Sequence, residues 1–163
     1  MAETPRLQTG DFAAIYDRQF GRLYRVCLLY LKNRADTEDA VSTVFVKLME
    51  RKEAFASDVH ETAWLITCAQ NVCKNELKRK HRTHVPLDTL VDQKSDASVD
   101  ETLPVLMQLP EKYKTALYLY YYEGYSSAET AQLLGKKEST VRTWLAKGRA
   151  ILKEKLTEQE GSV

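Results

Sequence analysis

Apolar residues recur at three- and four-residue steps along most of this 163-residue chain, and the few places where the recurrence stops read as helix ends. Phe12, Ile15, Tyr16, Phe20, Leu23 and Tyr24 open a first helix that runs on to Leu31, with Asp11 placed to cap it. Residues 33–36 break it. A second helix starts near Asp36, where Thr37, Glu38 and Asp39 suit the positive end of a helix dipole. Its apolar positions are Ala40, Val41, Val44, Phe45, Leu48 and Met49. A connection over residues 51–61 carries Phe55. A third helix from Thr62 buries Trp64, Leu65, Ala69, Val72 and Leu77. It ends in KNELKRKHR, five Lys/Arg against one Glu, which a solvated helix end with cations near its negative pole would explain without any partner.

The periodicity is most informative over residues 126–152, SSAETAQLLGKKESTVRTWLAKGRAIL. Ser126 or Ser127 can cap a helix, and Glu129 lies where a capping-box carboxylate reaches back. Ala128, Ala131, Leu133 and Leu134 are the positions that helix buries. Gly135 follows, where positive φ carries no Cβ penalty. Lys136 and Lys137 fill the turn, and Glu138, Ser139 and Thr140 open a second helix. Val141, Trp144, Leu145, Gly148, Ile151 and Leu152 mark its inward face; Thr140, Arg142, Thr143, Lys147 and Arg149 mark the outward one. Caps, turn glycine, spacing and a basic second helix together predict a DNA-binding helix-turn-helix, in which the start of the second helix meets base edges and flanking cations hold phosphates. Charge alone would fit an ordinary helical hairpin with a solvated basic face. The stretch YLYYYEGY reads as an amphipathic helix with half-exposed rings, Tyr118 and Tyr122 among them.

Composition and charge add the outline. The chain is 44% hydrophobic with six glycines and four prolines, which suits an all-α protein. Residues 1–85 hold 14 Lys+Arg and 11 Asp+Glu, residues 86–104 one lysine and five acids, and residues 105–163 nine basic and seven acidic residues. Two basic units thus flank an acidic connector, PLDTLVDQKSDASVDETLP, with the Pro, Ser and Asp content of a linker. The expected domains are 10–85, a helical bundle, and 103–157, the helix-turn-helix, joined by a flexible acidic linker over 86–102. No apolar run approaches the roughly 20 residues that span a bilayer, and the N-terminal residues lack a signal peptide's basic and apolar regions, so a cytoplasmic location without membrane insertion is expected. Cys27, Cys68 and Cys73 lie in apolar helical stretches with no CxxC spacing and read as reduced, mostly buried thiols rather than redox or metal ligands. His60, His81 and His84 lie in loop or basic surroundings. Phosphate-binding loops, metal-ligand spacing and nucleophile–base arrangements are all lacking, so the expectation is a non-enzyme with no metal, cofactor or small-molecule substrate.

In this setting DTEDAVSTVFVKLMERKEAF resembles region two, and HETAWLITCAQNVCKNELKRKHR the helix that follows it, in the sigma factors of bacterial RNA polymerase, of the extracytoplasmic-function (ECF) class. LMQLPEKYKTALYLYYYEGYSSAETAQLLGKKESTVRTWLAKGRAIL resembles region four of the same family nearly position for position. The resemblance covers about residues 10–85 and 103–156. It implies a promoter-specificity subunit that binds core polymerase, reads the −35 element as duplex and the −10 element as a single strand, and leaves the chemistry to the polymerase. Glu38, Asp39, Val44, Phe45 and Lys47 match the surface that docks on the β′ clamp helices; bundle core is the competing assignment for Val44 and Phe45. Phe55 and Asn71 match the pocket for a flipped −10 base, a task suited to an aromatic face and an amide with donor and acceptor. Phe55 and Trp64 also fit simple core packing. Lys74, Lys78, Arg79, Lys80 and Arg82 match the basic stretch that follows promoter phosphates. Lys136, Lys137, Ser139, Thr140, Arg142 and Thr143 match the −35 reader, with Arg142 the foremost base contact and Lys147 and Arg149 nearer phosphates or solvent. Apolar residues near 117–121 and the last helix match the surface for the β flap. The acidic linker would thread the RNA exit path, and an anti-sigma protein is a partner the family often has.

The chain departs from the family pattern at Ser42-Thr43, where Gln-Glu or Gln-Asp is usual, at Asn75 and Lys78, where Asp and Arg are usual, and at Tyr120, where arginine is common. The first departure keeps open a sigma-like helix-turn-helix regulator that acts without core polymerase. A protein-interaction module with no DNA contact is the reading from another class.

Overall fold

The computed structural model describes residues 5–82 and 102–160. The chain divides into a first unit, Met1–Val91, and a second, Asp92–Val163. The linker expected over 86–102, and with it His84, lies outside the described residues except for Thr102.

The first unit packs three helices, α1 (Thr9–Leu31), α2 (Arg34–Glu50) and α3 (Asp58–Arg82). Leu23, Val26, Cys27 and Leu29 of α1, Val41, Val44 and Leu48 of α2, and Leu65, Ile66, Ala69 and Cys73 of α3 are almost wholly withdrawn from water. Each helix starts earlier than the apolar pattern indicates, because capping side chains lie upstream of the first apolar residue. In α1, Asp11 sits inside the first turn and its carboxylate accepts from the Gln8 backbone N–H at 3.1 Å, so it is the reciprocal partner of a cap at Gln8 and not the cap itself. In α2, Asn33 is the cap, its side-chain oxygen accepting from the Asp36 N–H at 2.9 Å. Lys32 makes the preceding bend in the left-handed region at φ 63°. In α3, the Ser57 hydroxyl accepts from the His60 N–H at 3.1 Å, which shortens the connection after α2 to residues 51–57. The chain start is laid against that connection by an isolated bridge between Arg6 and Glu53, with Leu7 N–H to Lys52 O at 3.1 Å and Ala54 N–H to Pro5 O at 2.8 Å.

Two polar clusters lock the bundle. Glu61, nearly buried in the first turn of α3, accepts from Arg18 Nε at 2.9 Å and Gln19 Nε2 at 2.8 Å, both on α1. Burial alone would raise its pKa, but the hydrogen bonds from Arg18 and Gln19 prevail and hold it below the ordinary carboxylate range. At the other end Lys80 of α3 pairs with Asp36 of α2, whose Oδ2 also accepts from Asn33 Nδ2 at 2.7 Å. Burial holds the Lys80 ammonium below the ordinary lysine range. Lys80 is thereby withdrawn from the basic stretch it was expected to join.

The second unit contains α4 (Thr102–Met107), α5 (Glu111–Leu117), a π-helical turn (Tyr118–Tyr122), α6 (Ser127–Leu134) and α7 (Glu138–Glu160). Its core joins Leu103, Leu106, Leu109, Leu117, Leu119, Ala131, Val141 and Leu145. The tyrosine stretch differs from an amphipathic α-helix. The Glu123 N–H reaches back to Tyr118 O at 3.1 Å, widening the turn, and Tyr118 is fully buried with its hydroxyl donating to Glu123 Oε1 at 2.6 Å. Tyr122 stacks on Tyr118 at 5.2 Å and is half-buried. The α5 and α7 backbones approach closely at Gly148: a Cβ there would run into Leu117 Cδ1 and lie 3.1 Å from Tyr113 Cβ. Among the described residues no strand occurs, and no helix is long and apolar enough to cross a membrane.

Candidate nucleic-acid interface and docking face

The start of α7 is set by the turn before it. The Ser126 hydroxyl accepts from the Glu129 N–H at 3.1 Å, and the Glu129 carboxylate accepts from the Ser126 N–H at 3.0 Å, closing a reciprocal cap on α6. Those bonds from Ser126 also hold the Glu129 carboxyl below its ordinary range. At the far end Gly135 adopts φ 64°, and Lys136 N–H returns to Ala131 O at 3.0 Å in a Schellman closure. The chain then reverses into α7 within three residues. Val141, Leu145 and Gly148 face inward, as the spacing predicts; Trp144, Ile151 and Leu152 are only half-buried. Lys136, Lys137, Ser139, Arg142, Thr143, Lys147 and Arg149 are exposed, and Thr140 is half-exposed. Two of the polar groups are already engaged. The Thr143 hydroxyl donates to Ser139 O at 3.0 Å, leaving its lone pairs for an outside donor, and Arg142 Nη2 donates to Glu138 Oε1 at 2.6 Å. Arg149 lies 5.9 Å from the centre of the exposed Tyr121 ring.

In the first unit Phe55 is half-buried in an aromatic group at the start of α3. Its ring centre is 5.7 Å from Trp64 and 5.3 Å from His60, and the Arg51 guanidinium lies 4.3 Å over it and 5.4 Å from Trp64. Arg51 is held there by its Nε donating to Glu53 O at 2.9 Å, and the loop is closed by the Ala56 N–H donating to His60 Nδ1 at 3.0 Å. Trp64 is therefore half-exposed beside Phe55 and not a core residue, and Val72 and Leu77 are likewise half-buried. Trp64, Thr67, Asn71, Lys74, Lys78 and Arg82 follow one another at helical spacing, so Trp64, the Asn71 amide and three of the cations share one stripe of α3. Asn71, Lys74, Lys78, Arg79 and Arg82 are all exposed; Arg79 is paired with Glu76 at 2.6 Å.

On α2 the expected docking residues separate. Glu38, Asp39 and Lys47 are exposed, with Glu38 bonded to Arg34 Nε at 2.9 Å. Val44 and Phe45 are buried, Val44 in the bundle core and Phe45 against Tyr16 at 4.6 Å and Phe12 at 6.2 Å, so neither is available at the surface. The large apolar side chains the helix exposes are Val46 and Met49, 52% and 67% accessible, in line with Asp39 and Ser42. Spacing assigns Met49 to the core and gives Val46 no role; the off-register position of Val46 beside the buried set is the signal that sequence offers for it. In the second unit Leu117, Tyr118 and Leu119 are wholly buried, which leaves Tyr120 and Tyr121 as the accessible part of the stretch assigned to the flap.

Comparison with known proteins finds a family match in each of the two units. The family described as Sigma-70 region 2 matches residues 15–83, and Sigma-70, region 4 matches residues 103–152. The ECF RNA polymerase sigma factor SigM of Mycobacterium tuberculosis is 29% identical over 146 residues, covering 86% of this chain and 74% of its own. The ECF RNA polymerase sigma factor SigW of Bacillus subtilis is 22% identical over 177 residues, covering 93% of each. Among solved structures, CnrH in complex with the cytosolic domain of CnrY superposes with a TM-score of 0.67 at 20% identity, over 93% of this chain and 90% of that one. The sigma factor RpoE of Bartonella quintana, in complex with the anti-sigma factor NepR, gives 0.67 at 18% identity over 91% and 98%. These two establish a shared fold. With a region-two match over the aromatic and basic stripe of α3 and a region-four match over the capped α6–α7 turn, the chain belongs to the sigma-70 family of bacterial RNA polymerase sigma factors, in its ECF class.

Proposed function

We propose that this chain is the promoter-specificity subunit of a cytoplasmic bacterial RNA polymerase, with residues 10–85 and 103–157 as its two working domains and 86–102 as the connector. The observation that carries the reading is the exposed polar and basic face of α7, set by the capped turn after α6, in the same chain as a stripe of α3 that carries half-exposed Trp64 and the exposed Asn71, Lys74, Lys78 and Arg82. Lys136, Lys137, Ser139, Thr140, Arg142 and Thr143 would enter the major groove at the −35 element. There a bidentate arginine–guanine pair is worth about 1–3 kcal/mol of discrimination. Lys147 would hold a flanking phosphate. Phe55 and Asn71 would receive an unstacked −10 base, with Lys74, Lys78, Arg79 and Arg82 along its backbone. Extruding the base costs a few kcal/mol, and stacking on an aromatic ring offsets about 1–3 kcal/mol of it. Glu38, Asp39 and Lys47, joined by Val46 and Met49, would meet the β′ clamp helices, and Tyr120 and Tyr121 the β flap. Sigma factors leave phosphoryl transfer to the polymerase, so no catalytic residue, metal or cofactor is needed here. RpoE was solved with an anti-sigma factor, which supports a partner of that kind for this chain as well.

In vitro transcription tests the reading. Full-length protein added to bacterial core polymerase and a pool of genomic promoter fragments should give new RNA 5′ ends that share paired upstream elements. A chain that binds duplex DNA while core polymerase neither retains it nor starts new transcripts would instead be the stand-alone regulator.

A further inference from the structure

We propose that Glu138 is the positioning residue for Arg142: it holds the guanidinium along α7, so that base choice at the position read by Arg142 depends on a carboxylate that itself need not touch DNA. This rests on the reading of α7 as the −35 helix. Glu138 opens α7 and is half-buried, and its Oε1 accepts two hydrogen bonds at once, from Arg142 Nη2 at 2.6 Å and from Ser127 Oγ at 3.1 Å. Ser127 is the first residue of α6, so the carboxylate is fixed from the neighbouring helix before it meets the arginine. The arginine is the more exposed partner, with 68% of its side chain accessible against 40% for Glu138. Among the described residues, Lys136, Lys137 and Lys147 have no carboxylate partner, which sets Arg142 apart from the other cations of this face.

An exposed pair at this spacing adds little to helix stability. Its consequence is conformational. A guanidinium has five N–H donors; Glu138 engages one on Nη2, and the others remain for the two acceptors of a guanine edge. Rotamer freedom already lost in the free protein is not lost again on binding. The same negative charge opposes a phosphate drawing Arg142 away, so the pair favours base contact over backbone contact.

The test uses the full chain reconstituted with bacterial core polymerase and a pool of duplexes randomised through the upstream element, with bound DNA sequenced for the wild type, Arg142→Ala, Glu138→Gln, Glu138→Asp and the Glu138→Gln/Arg142→Ala double variant. Arg142→Ala should abolish preference at one or two adjacent base pairs. Glu138→Gln keeps the acceptor for Ser127 but removes the charge; it should lower preference at those same pairs by about two- to threefold, the size of an exposed pair at this spacing. Glu138→Asp keeps the charge on a shorter arm and should lose the same preference. The double variant should equal Arg142→Ala alone. Weakening spread evenly over all positions, or a Glu138→Asp profile like wild type, would show bulk charge or turn structure at work and overturn the positioning role while leaving the Arg142 contact standing. An Arg142→Ala profile identical to wild type would remove the base contact, and this inference with it.

Discussion

At the scale of single residues, position in the helical period predicts more than residue type does. Phe45 and Val46 are adjacent and both apolar, yet one is buried against Tyr16 and the other is 52% exposed, because they lie 100° apart on α2. Gly148 shows what a missing side chain can do. The inward face of α7 places residue 148 over Leu117, which is fully buried in the core of the second unit, and over half-buried Tyr113. In Gly148→Ala the better helix propensity of alanine gains about 1 kcal/mol, while forcing a methyl group into a filled space costs about 1–3 kcal/mol. Tyr113 Cβ is rigidly attached to backbone and Leu117 is fully buried, so the cost should win. Urea unfolding followed by circular dichroism should show a lower midpoint for the alanine variant; a higher one would mean that Leu117 rotates away freely. Spacing identified residue 148 as inward-facing, but the closeness of α5 was not legible, since it depends on a partner 31 residues earlier in the chain.

At the scale of helices, the apolar stripes carry the number and order of the long elements, and capping residues mark their ends where the capping motif is local. Ser126, Glu129 and Gly135 were legible because the motif is local, complete within ten residues. Asn33 and Ser57 are not legible as caps, because the apolar pattern begins later than the hydrogen bonds do. The contact between α1 and α3 through Arg18, Gln19 and Glu61 was invisible to spacing, since it joins positions more than 40 residues apart. It gives the first unit a pH dependence of definite sign. The folded pKa of Glu61 lies below its ordinary value of 4.5, so folding favours the ionised form. That stabilisation is complete above the unfolded pKa and is lost as pH falls through the folded one. Between neutral pH and about 5 the wild type should exceed Glu61→Gln in urea midpoint by a constant margin, and below about 4.5 the margin should shrink. A margin that stays constant down to the most acid conditions would show that the carboxylate is not held ionised by Arg18.

For the molecule as a whole, function depends on which groups remain outside after each unit has satisfied its own core. On α2 that divides the expected docking set. Val46→Asp adds a charge to an already exposed position and should change thermal stability by no more than about 0.5 kcal/mol, yet it should abolish co-elution with core polymerase if this face docks. Val44→Asp would bury an unpaired charge and lower the melting temperature outright, so loss of polymerase binding there would reveal nothing about docking. Wild-type retention of Val46→Asp by the polymerase would move the docking face elsewhere. The sequence alone determined an all-α chain with two basic units, a capped helix-turn-helix, the polar face of α7 and the family, because each is written in local spacing and in residues near one another in the chain. Tertiary structure alone decided that Val44, Phe45, Lys80 and Tyr118 are withdrawn from the surface, that Val46, Met49 and Trp64 are left on it, and that Arg142 is held by a carboxylate fixed from another helix. Burial and pairing belong to the packed neighbours of a residue, and those neighbours are set by how helices distant in sequence meet.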